Sequence, residues 1–261
     1  MSDGNARVVV LTGGGGLLGR AMVDRLTADG NIVAVVDRDG DLAETAAALA
    51  VAPGRARGYQ ADVADRAALA DLHNRIRADL GPVGALICNA ATKSENFFES
   101  FETFPIEDWN YVMSVNLTAP MLCAQEFGPG MAARGKGAIV NTLSIYGIVA
   151  PDQRIYEGSH YLGRSINTPA VYSASKAGLW GLTKYLASYW GDRGVRVNAI
   201  TPGGVFSGQN DTFRDKYSAR TMMGRMGEAH EMGDAVTFLV SDRASYITGQ
   251  NLVVDGGLTA W

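Results

Sequence analysis

The sequence predicts an α/β fold in which a doubly wound parallel sheet carries helices on both faces. Three observations predict it: short apolar runs that are continuous rather than alternating, longer stretches of helical periodicity, and the strict alternation of the two. Strands buried on both faces read as unbroken apolar runs, because neither face meets water. Alternating strand and helix leads to right-handed βαβ crossovers, which build parallel sheets. The first run, 8–12, is Val-Val-Val-Leu-Thr, and the helical pattern after it covers 17–29. A run at 32–36 is followed by helix 42–49, and the weaker run 57–60 by helix 64–80. Runs at 85–88 and 138–142 bracket a long helical pattern at 106–133. Helix 172–192, run 195–200, helix 228–241 and run 251–254 complete the order. Arg196 is the one charge inside the first five strong runs. Two stretches, 150–170 and 203–227, are polar, contain glycine and lack a clear period, so they are read as loops.

At 261 residues, with no repeat and no Pro/Ser-rich linker, the chain reads as a single domain over 1–261. Hydrophobic residues at 47% and charged ones at 19% can bury a full core, which excludes a disordered chain. A net charge of −4 offers no basic field to a phosphate backbone, so no nucleic-acid partner is expected. Glycine at 32 residues is enriched without a triplet period, which excludes collagen and foretells close backbone approaches. The two cysteines, Cys88 and Cys123, lie in apolar stretches and read as buried thiols, not as a disulfide or metal ligands. That pattern fits a reducing, cytoplasmic setting. No apolar run nears the ~18 residues a membrane span needs, and none resembles a signal peptide, so no membrane partner is expected.

The first strand runs directly into Thr12-Gly13-Gly14-Gly15-Gly16-Leu17-Leu18-Gly19 and then a helix. A glycine fingerprint acquires meaning in that context: the turn tightens, the backbone approaches a pyrophosphate, and N–H groups at the positive helix end meet its charge. The sheet is therefore Rossmann-like, and Thr12, Gly13, Gly15, Gly16, Leu17 and Leu18 are expected around the dinucleotide. Asp37 ends the second strand and lies beyond Gly19 by close to the ~20 residues expected for an acid that holds a ribose 2′-hydroxyl. Its carboxylate would repel a 2′-phosphate, which favours NAD over NADP, although Arg38 beside it offsets part of that repulsion. Asp62 and Val63 follow the weak third strand. Asp62 reads either as a partner for the adenine amino group or as a helix N-cap. Asn89 and Ala90 sit at the carboxyl end of the next strand and complete the cofactor side.

Tyr172 and Lys176 stand four residues apart on a predicted helix and leave the same face. An ammonium beside a phenol favours the phenolate and brings an ordinary value near ~10 toward useful acid/base range. Ser144 follows the strand 138–142, where its hydroxyl could bind a reacting oxygen. Asn116 is a polar amide inside an apolar helical pattern and reads either as filling a backbone kink or as orienting Lys176 through water.

These residues resemble the short-chain dehydrogenase/reductase family in its compact single-domain branch, over nearly the whole chain. The matching pieces, in family order, are Thr12-Gly13…Gly19, Cys88-Asn89-Ala90-Ala91, Val115-Asn116, Ser144, Tyr172…Lys176, Val197 to Gly203 and Val253 to Gly257. By that resemblance Tyr172 is the general acid/base, Lys176 lowers its pKa and holds the nicotinamide ribose, Ser144 positions the substrate oxygen and Asn116 completes a proton relay. Pro202, Gly203 and Val205 are expected to border the nicotinamide, and no metal is implied. Relatives of this kind form tetramers or dimers, so a homo-oligomer is expected. Two departures stand out: Leu17 replaces the family's middle glycine, and an insert at 150–170 widens the spacing from Ser144 to Tyr172.

The insert contributes Asp152, Gln153, Arg154, Tyr156, Glu157, Ser159, His160, Tyr161, Arg164, Ser165 and Asn167, more hydrogen-bonding groups than a greasy pocket needs. The 203–227 loop adds Ser207, Gln209, Asn210, Arg214, Lys216, Tyr217, Arg220 and Arg225 and reads as a substrate lid. His160 reads as a surface or hydrogen-bonding residue rather than a catalyst. The sequence thus points to an NAD-dependent alcohol/ketone oxidoreductase acting on a small polar molecule, a sugar, polyol or sugar-derived metabolite. The glycine loop and the insert are similar to family members of bacterial sugar modification. Alternatives are a 3-oxoacyl-type reductase, against which Asp37 speaks, and a catalytically silent nucleotide-binding protein.

Overall fold

The computed structural model describes residues 6–161 and 163–261, and for His160, Tyr161 and Arg164 the backbone alone. Strand β1 (Val8–Thr12) lies near the middle of the sheet, and α1 (Leu17–Ala28), β2 (Ile32–Asp37), α2 (Gly40–Ala47) and β3 (Arg55–Gln60) build outward on one side of it. Helix α3 (Arg66–Leu80) crosses to the other side, where β4 (Val83–Cys88), α4 (Ile106–Met113), α5 (Ala119–Ala133) and β5 (Gly137–Thr142) follow. A short antiparallel hairpin, β6 (His160–Tyr161) and β7 (Arg164–Ser165), precedes α6 (Ala170–Trp190), β8 (Val195–Pro202), α7 (Asp211–Ser218), α8 (Ala229–Val240) and β9 (Asn251–Val254). The seven-stranded sheet runs β3-β2-β1-β4-β5-β8-β9, and every pairing in it is parallel. The order in which strands are added reverses between β1 and β4, which opens the crevice where ligands of such sheets bind.

The register explains why the strands are apolar throughout. Ala34, Val10, Leu86, Ile139 and Val197 are aligned across five strands. They face Leu69, Leu72 and Ile76 of α3 and Phe127 and Met131 of α5. On the opposite face Val9, Leu11, Val33, Val35 and Ile87 meet Met22, Val23 and Leu26 of α1 and Met232 and Val236 of α8. Each such side chain contributes ~1.5–3 kcal/mol on leaving water, so both layers of helix are fixed to the sheet. That rigid scaffold presents its loops at the carboxyl ends of the strands.

One weak candidate strand is borne out and three local expectations need correction. The weak run 57–60 is a full strand, β3, at the sheet edge, where Arg55 and Arg57 keep it from reading as apolar. Helix α3 starts at Arg66 with Asp65 as its cap, accepting from the Ala67 and Ala68 N–H groups, so Asp62 is not the N-cap. Asp62 instead accepts from the Ala64 N–H at 2.9 Å. The stretch 106–133 is not one helix but two, joined by a π turn at Ser114–Thr118. The loop 203–227 contains α7, capped by Asn210 through the Phe213 N–H at 2.8 Å.

Candidate active site

The ends of β1 and β4 are clasped together. Thr12 Oγ1 accepts from the N–H groups of Asn89 (3.1 Å) and Ala90 (3.2 Å) and donates to the Ile87 carbonyl, while Asn89 Nδ2 donates to the Gly13 carbonyl at 3.0 Å. Glycine is required where the turn closes: Gly13 has φ +64°, and a Cβ on it would stand 2.7 Å from Ala90 Cα. A Cβ on Gly19 would come within 2.4 Å of the Gly13 carbonyl oxygen. Leu17 is already the first residue of α1 and half-exposed, so the family's missing glycine costs no backbone strain. Gly16 caps α1 without a side-chain bond, which leaves the helix's positive end for an anion.

Asp37 lies at the mouth of this loop, its Oδ2 accepting from the Gly15 N–H at 3.0 Å and its Oδ1 from the Asp39 N–H at 3.2 Å. The Arg38 guanidinium turns to the Tyr111 hydroxyl at 2.9 Å, and that bond, with Asp62 and Asp37 nearby, raises its pKa. A glycine cradle that a Cβ would fill, an uncapped helix end and a carboxylate at the end of β2 together fit a dinucleotide.

Ser144 and Tyr172 converge across the crevice from β5 and the first turn of α6. Burial pushes the Tyr172 phenol up from its ordinary value, and the Ser144 hydroxyl, which donates to it, works the other way. Lys176, one turn along α6, is buried and donates from Nζ to the Thr142 carbonyl at 2.8 Å. Its ammonium stands 5.9 Å from the centroid of the Tyr172 ring, and burial pushes its own pKa down to about 8. In this structure desolvation of the phenol outweighs the hydroxyl beside it. Asn116 is fully buried in the π turn, its Oδ1 accepting from the Thr92 N–H at 2.9 Å and its Nδ2 donating to Ser175 Oγ at 3.4 Å. It joins the β4 loop to α6 and makes no direct bond to Lys176, whose Nζ goes to Thr142.

Ser144, Tyr172, Gly203 and Val205 share one cavity of about 780 Å³. Pro202 ends β8 just behind its rim. From the insert, Tyr156, Ser159 and Asn167 line it, with Tyr156 donating to the Tyr146 hydroxyl at 3.1 Å; from the lid come Ser207, Gln209, Asn210 and Tyr217. The charged groups of these segments are used elsewhere. Asp152 pairs with Arg154 and Arg220, Lys216 donates to the Glu157 carbonyl at 2.9 Å, Arg214 pairs with Asp211 and Arg225 with Glu231. Leu162 and the side chains of His160, Tyr161 and Arg164 lie outside the described residues.

Sequence reasoning missed Thr92, Lys93, Phe97 and Phe98, which line the same cavity, the Phe98 carbonyl accepting from Asn167 Nδ2 of the insert at 2.8 Å. Their one signal is position, directly after the Asn89-Ala90-Ala91 clasp. No group of His, Cys, Asp and Glu among the described residues could hold a metal ion, and no described helix is long and apolar enough to cross a membrane.

Comparison with known proteins agrees with this geometry. Residues 16–259 match the family model described as Enoyl-(Acyl carrier protein) reductase. The chain is 34% identical to 2-(S)-hydroxypropyl-CoM dehydrogenase 3 of Xanthobacter autotrophicus, over 97% of this chain and 96% of that protein. It is 32% identical to meso-2,3-butanediol dehydrogenase of Serratia marcescens, over 97% and 95% respectively. A solved structure of a short chain dehydrogenase from Leptospira borgpetersenii with bound NAD+ is 33% identical, covers 97% of this chain and 93% of its own, and superposes with a TM-score of 0.82. The chain belongs to the short-chain dehydrogenase/reductase family of oxidoreductases.

Proposed function

We propose that this protein is an NAD-dependent dehydrogenase that moves a hydride between nicotinamide and the CH–OH carbon of a small, polar, sugar-like or polyol substrate. The observation that carries this reading is the meeting of Ser144, Tyr172 and the buried Lys176 in one crevice beside a glycine cradle. Thr12, Gly13, Gly15, Gly16, Leu17 and Leu18 would hold the pyrophosphate, Asp37 the adenosine ribose, Asp62 and Val63 the adenine, and Asn89, Ala90, Pro202, Gly203 and Val205 the nicotinamide half. Bound there, the dinucleotide supplies a two-electron hydride acceptor or donor.

The chain's own residues handle the proton. In the oxidising direction Tyr172 takes the alcohol proton at its phenol oxygen, and in the reducing direction it returns one to the carbonyl oxygen. Ser144 donates to the same oxygen and steadies its developing charge. Lys176, brought to about 8 by burial, exchanges a proton close to neutral pH and favours the phenolate when charged. Asn116 is a positioning residue that keeps the Thr92 wall and α6 in register. The relatives named above as dehydrogenases of hydroxylated small molecules support the reaction class.

NAD is favoured because Asp37 faces the loop while Arg38 is committed to Tyr111. Amides and hydroxyls of Asn167, Ser207, Gln209 and Asn210 favour a polar substrate over an acyl chain. The whole chain, 1–261, serves as one dinucleotide-binding and catalytic domain, with 150–170 an insert that walls the pocket and 203–227 its lid. It works as a cytoplasmic homo-oligomer, tetramer or dimer.

Reduced-nicotinamide absorbance with NAD or NADP and a panel of polyols, sugars and sugar acids tests the reading. Turnover should appear with NAD and fall by about 10²–10⁴-fold in Tyr172→Phe, while the variant still binds NADH. Undiminished turnover in that variant would remove the assigned acid/base.

A further inference from the structure

The insert carries a chain of hydroxyl groups into the catalytic cavity, and counting the protons along it shows which end is open. Gln153 clamps the backbone of Thr168, its Nε2 donating to the Thr168 carbonyl at 2.8 Å and its Oε1 accepting from the Thr168 N–H at 3.1 Å. The Thr168 hydroxyl stands 2.7 Å from that of Tyr156, and Tyr156 donates to the Tyr146 hydroxyl at 3.1 Å. Each hydroxyl has one proton to give. Tyr156 gives its proton to Tyr146, so Thr168 is the donor in the bond to Tyr156. The chain therefore runs from Thr168 through Tyr156 to Tyr146, and every proton in it is used except the last. The Tyr146 oxygen accepts from Tyr156, while its own O–H meets no acceptor among the described residues.

That open donor belongs to the turn that holds Ser144. Tyr146 lies in the single 3-10 turn that Ser144 caps, and its N–H donates to Ser144 Oγ at 3.3 Å. Tyr146 and Tyr156 line the same cavity as Ser144 and Tyr172, and no carboxylate lies among the described lining residues to take the Tyr146 proton. The Tyr156 ring is stacked on Phe213 of the lid, centroids 5.5 Å apart, which fixes the middle of the chain. Burial holds the Tyr146 phenol far above its ordinary value, so the proton stays on the oxygen as a donor. A ligand that brings an acceptor to such a group gains over one that brings carbon, because carbon displaces water and leaves the donor unmet.

We propose that Tyr146 is a specificity-determining residue that donates to a second oxygen of the substrate while Ser144 and Tyr172 hold the first. Because Ser144 and Tyr146 leave one short turn, both contacts fall within one small molecule. The substrate then carries oxygen on the carbon next to the carbinol or on the one beyond it, as in a 1,2- or 1,3-diol or the matching hydroxy ketone. Thr168 and Tyr156 are positioning residues that set the direction of donation. The inference rests on the dehydrogenase reading above and narrows its substrate to a molecule with two neighbouring oxygens.

Fluorescence of NADH bound to the protein, titrated with 2,3-butanediol and with 1,3-butanediol, each against 2-butanol, reads weak binding without turnover, since reduced cofactor and alcohol do not react. The better diol should bind at least about fivefold tighter than 2-butanol, the factor that one net hydrogen bond provides. Tyr146→Phe should bring that ratio close to one, and Tyr156→Phe, which keeps the Tyr146 hydroxyl, should retain about half of it or more. A native ratio near one, or a ratio that Tyr146→Phe leaves intact, overturns the assignment. So does the reverse pattern, in which Tyr156→Phe removes the preference and Tyr146→Phe does not. A native protein that binds no NADH would overturn the dehydrogenase reading itself, whereas a ratio near one with NADH bound removes the role of Tyr146 alone.

Discussion

Lys176 is a charge placed where solvent cannot reach it, and the protein carries a thermodynamic cost for it. Burial takes its pKa from 10.5 to about 8. Between those values the unfolded chain binds more protons than the folded one, so this group's contribution to stability rises with pH across that window and is least favourable below about 8. The displacement corresponds to roughly 3 kcal/mol at neutral pH. The bond to the Thr142 carbonyl would be lost on substitution, which offsets about 1 kcal/mol of that. Lys176→Met should therefore be inactive yet more stable than the native protein by roughly 2 kcal/mol at pH 7. Urea unfolding at pH 7 and pH 10 checks it: the advantage should shrink at the higher pH, and a variant less stable at pH 7 contradicts the sign. At this scale the sequence was legible for Ser144, Tyr172 and Lys176, because their types and spacing carry the chemistry. It was not legible for Lys93, Phe97 and Phe98, whose importance comes from where an irregular segment is laid down in space.

The insert and the lid are built as one piece. Arg220 reaches the Asp152 carboxylate, Lys216 donates to the Arg154 and Glu157 carbonyls, and the Phe213 ring stacks on Tyr156 with centroids 5.5 Å apart. Tyr156 and Phe213 both line the catalytic cavity, so movement of α7 carries one wall of the pocket with it. A double variant, Lys216→Ala with Arg220→Ala, should speed amide hydrogen exchange in 150–159 and 211–218 together and raise KM by more than it lowers kcat. Faster exchange in α7 alone would mean that the two segments move independently. Neither feature could be read from composition. Helix α7 is eight residues, Asp-Thr-Phe-Arg-Asp-Lys-Tyr-Ser, of which Tyr217 alone is buried, so its apolar stripe is too narrow to stand out. The π turn at Asn116 adds its widened turn inside a stretch whose periodicity looks continuous. The sheet strands were legible for the opposite reason: a central parallel strand is apolar on both faces, and only the edge strand β3 hid its character behind Arg55 and Arg57.

At the scale of the whole molecule, one face of α6 is left exposed among the described residues. Along α6, Ala177, Gly181, Tyr185 and Tyr189 are exposed at intervals of four residues, and the two tyrosine rings stack 5.8 Å apart with more than half of each residue in solvent. Gly181 is the informative member. A Cβ there would meet nothing within 4 Å, so the chain's own packing does not call for glycine, although glycine in a helix interior costs ~1 kcal/mol relative to alanine. A second helix lying close against this face would supply the missing reason, since glycine lets two backbones approach, and it would also cover the tyrosines. The proposed homo-oligomer is accordingly expected to pair α6 with its copy. Light scattering on the native protein should give a dimer or tetramer. Gly181→Arg, whose side chain has open space in the single chain, should yield a folded species of half the native mass or less, with an unchanged circular dichroism spectrum. If Gly181→Arg keeps the native mass, the interface lies elsewhere; if the native protein is itself a single chain at micromolar concentration, the exposed stripe has no self-partner, and Gly181→Ala should then simply stabilise the helix by about 1 kcal/mol.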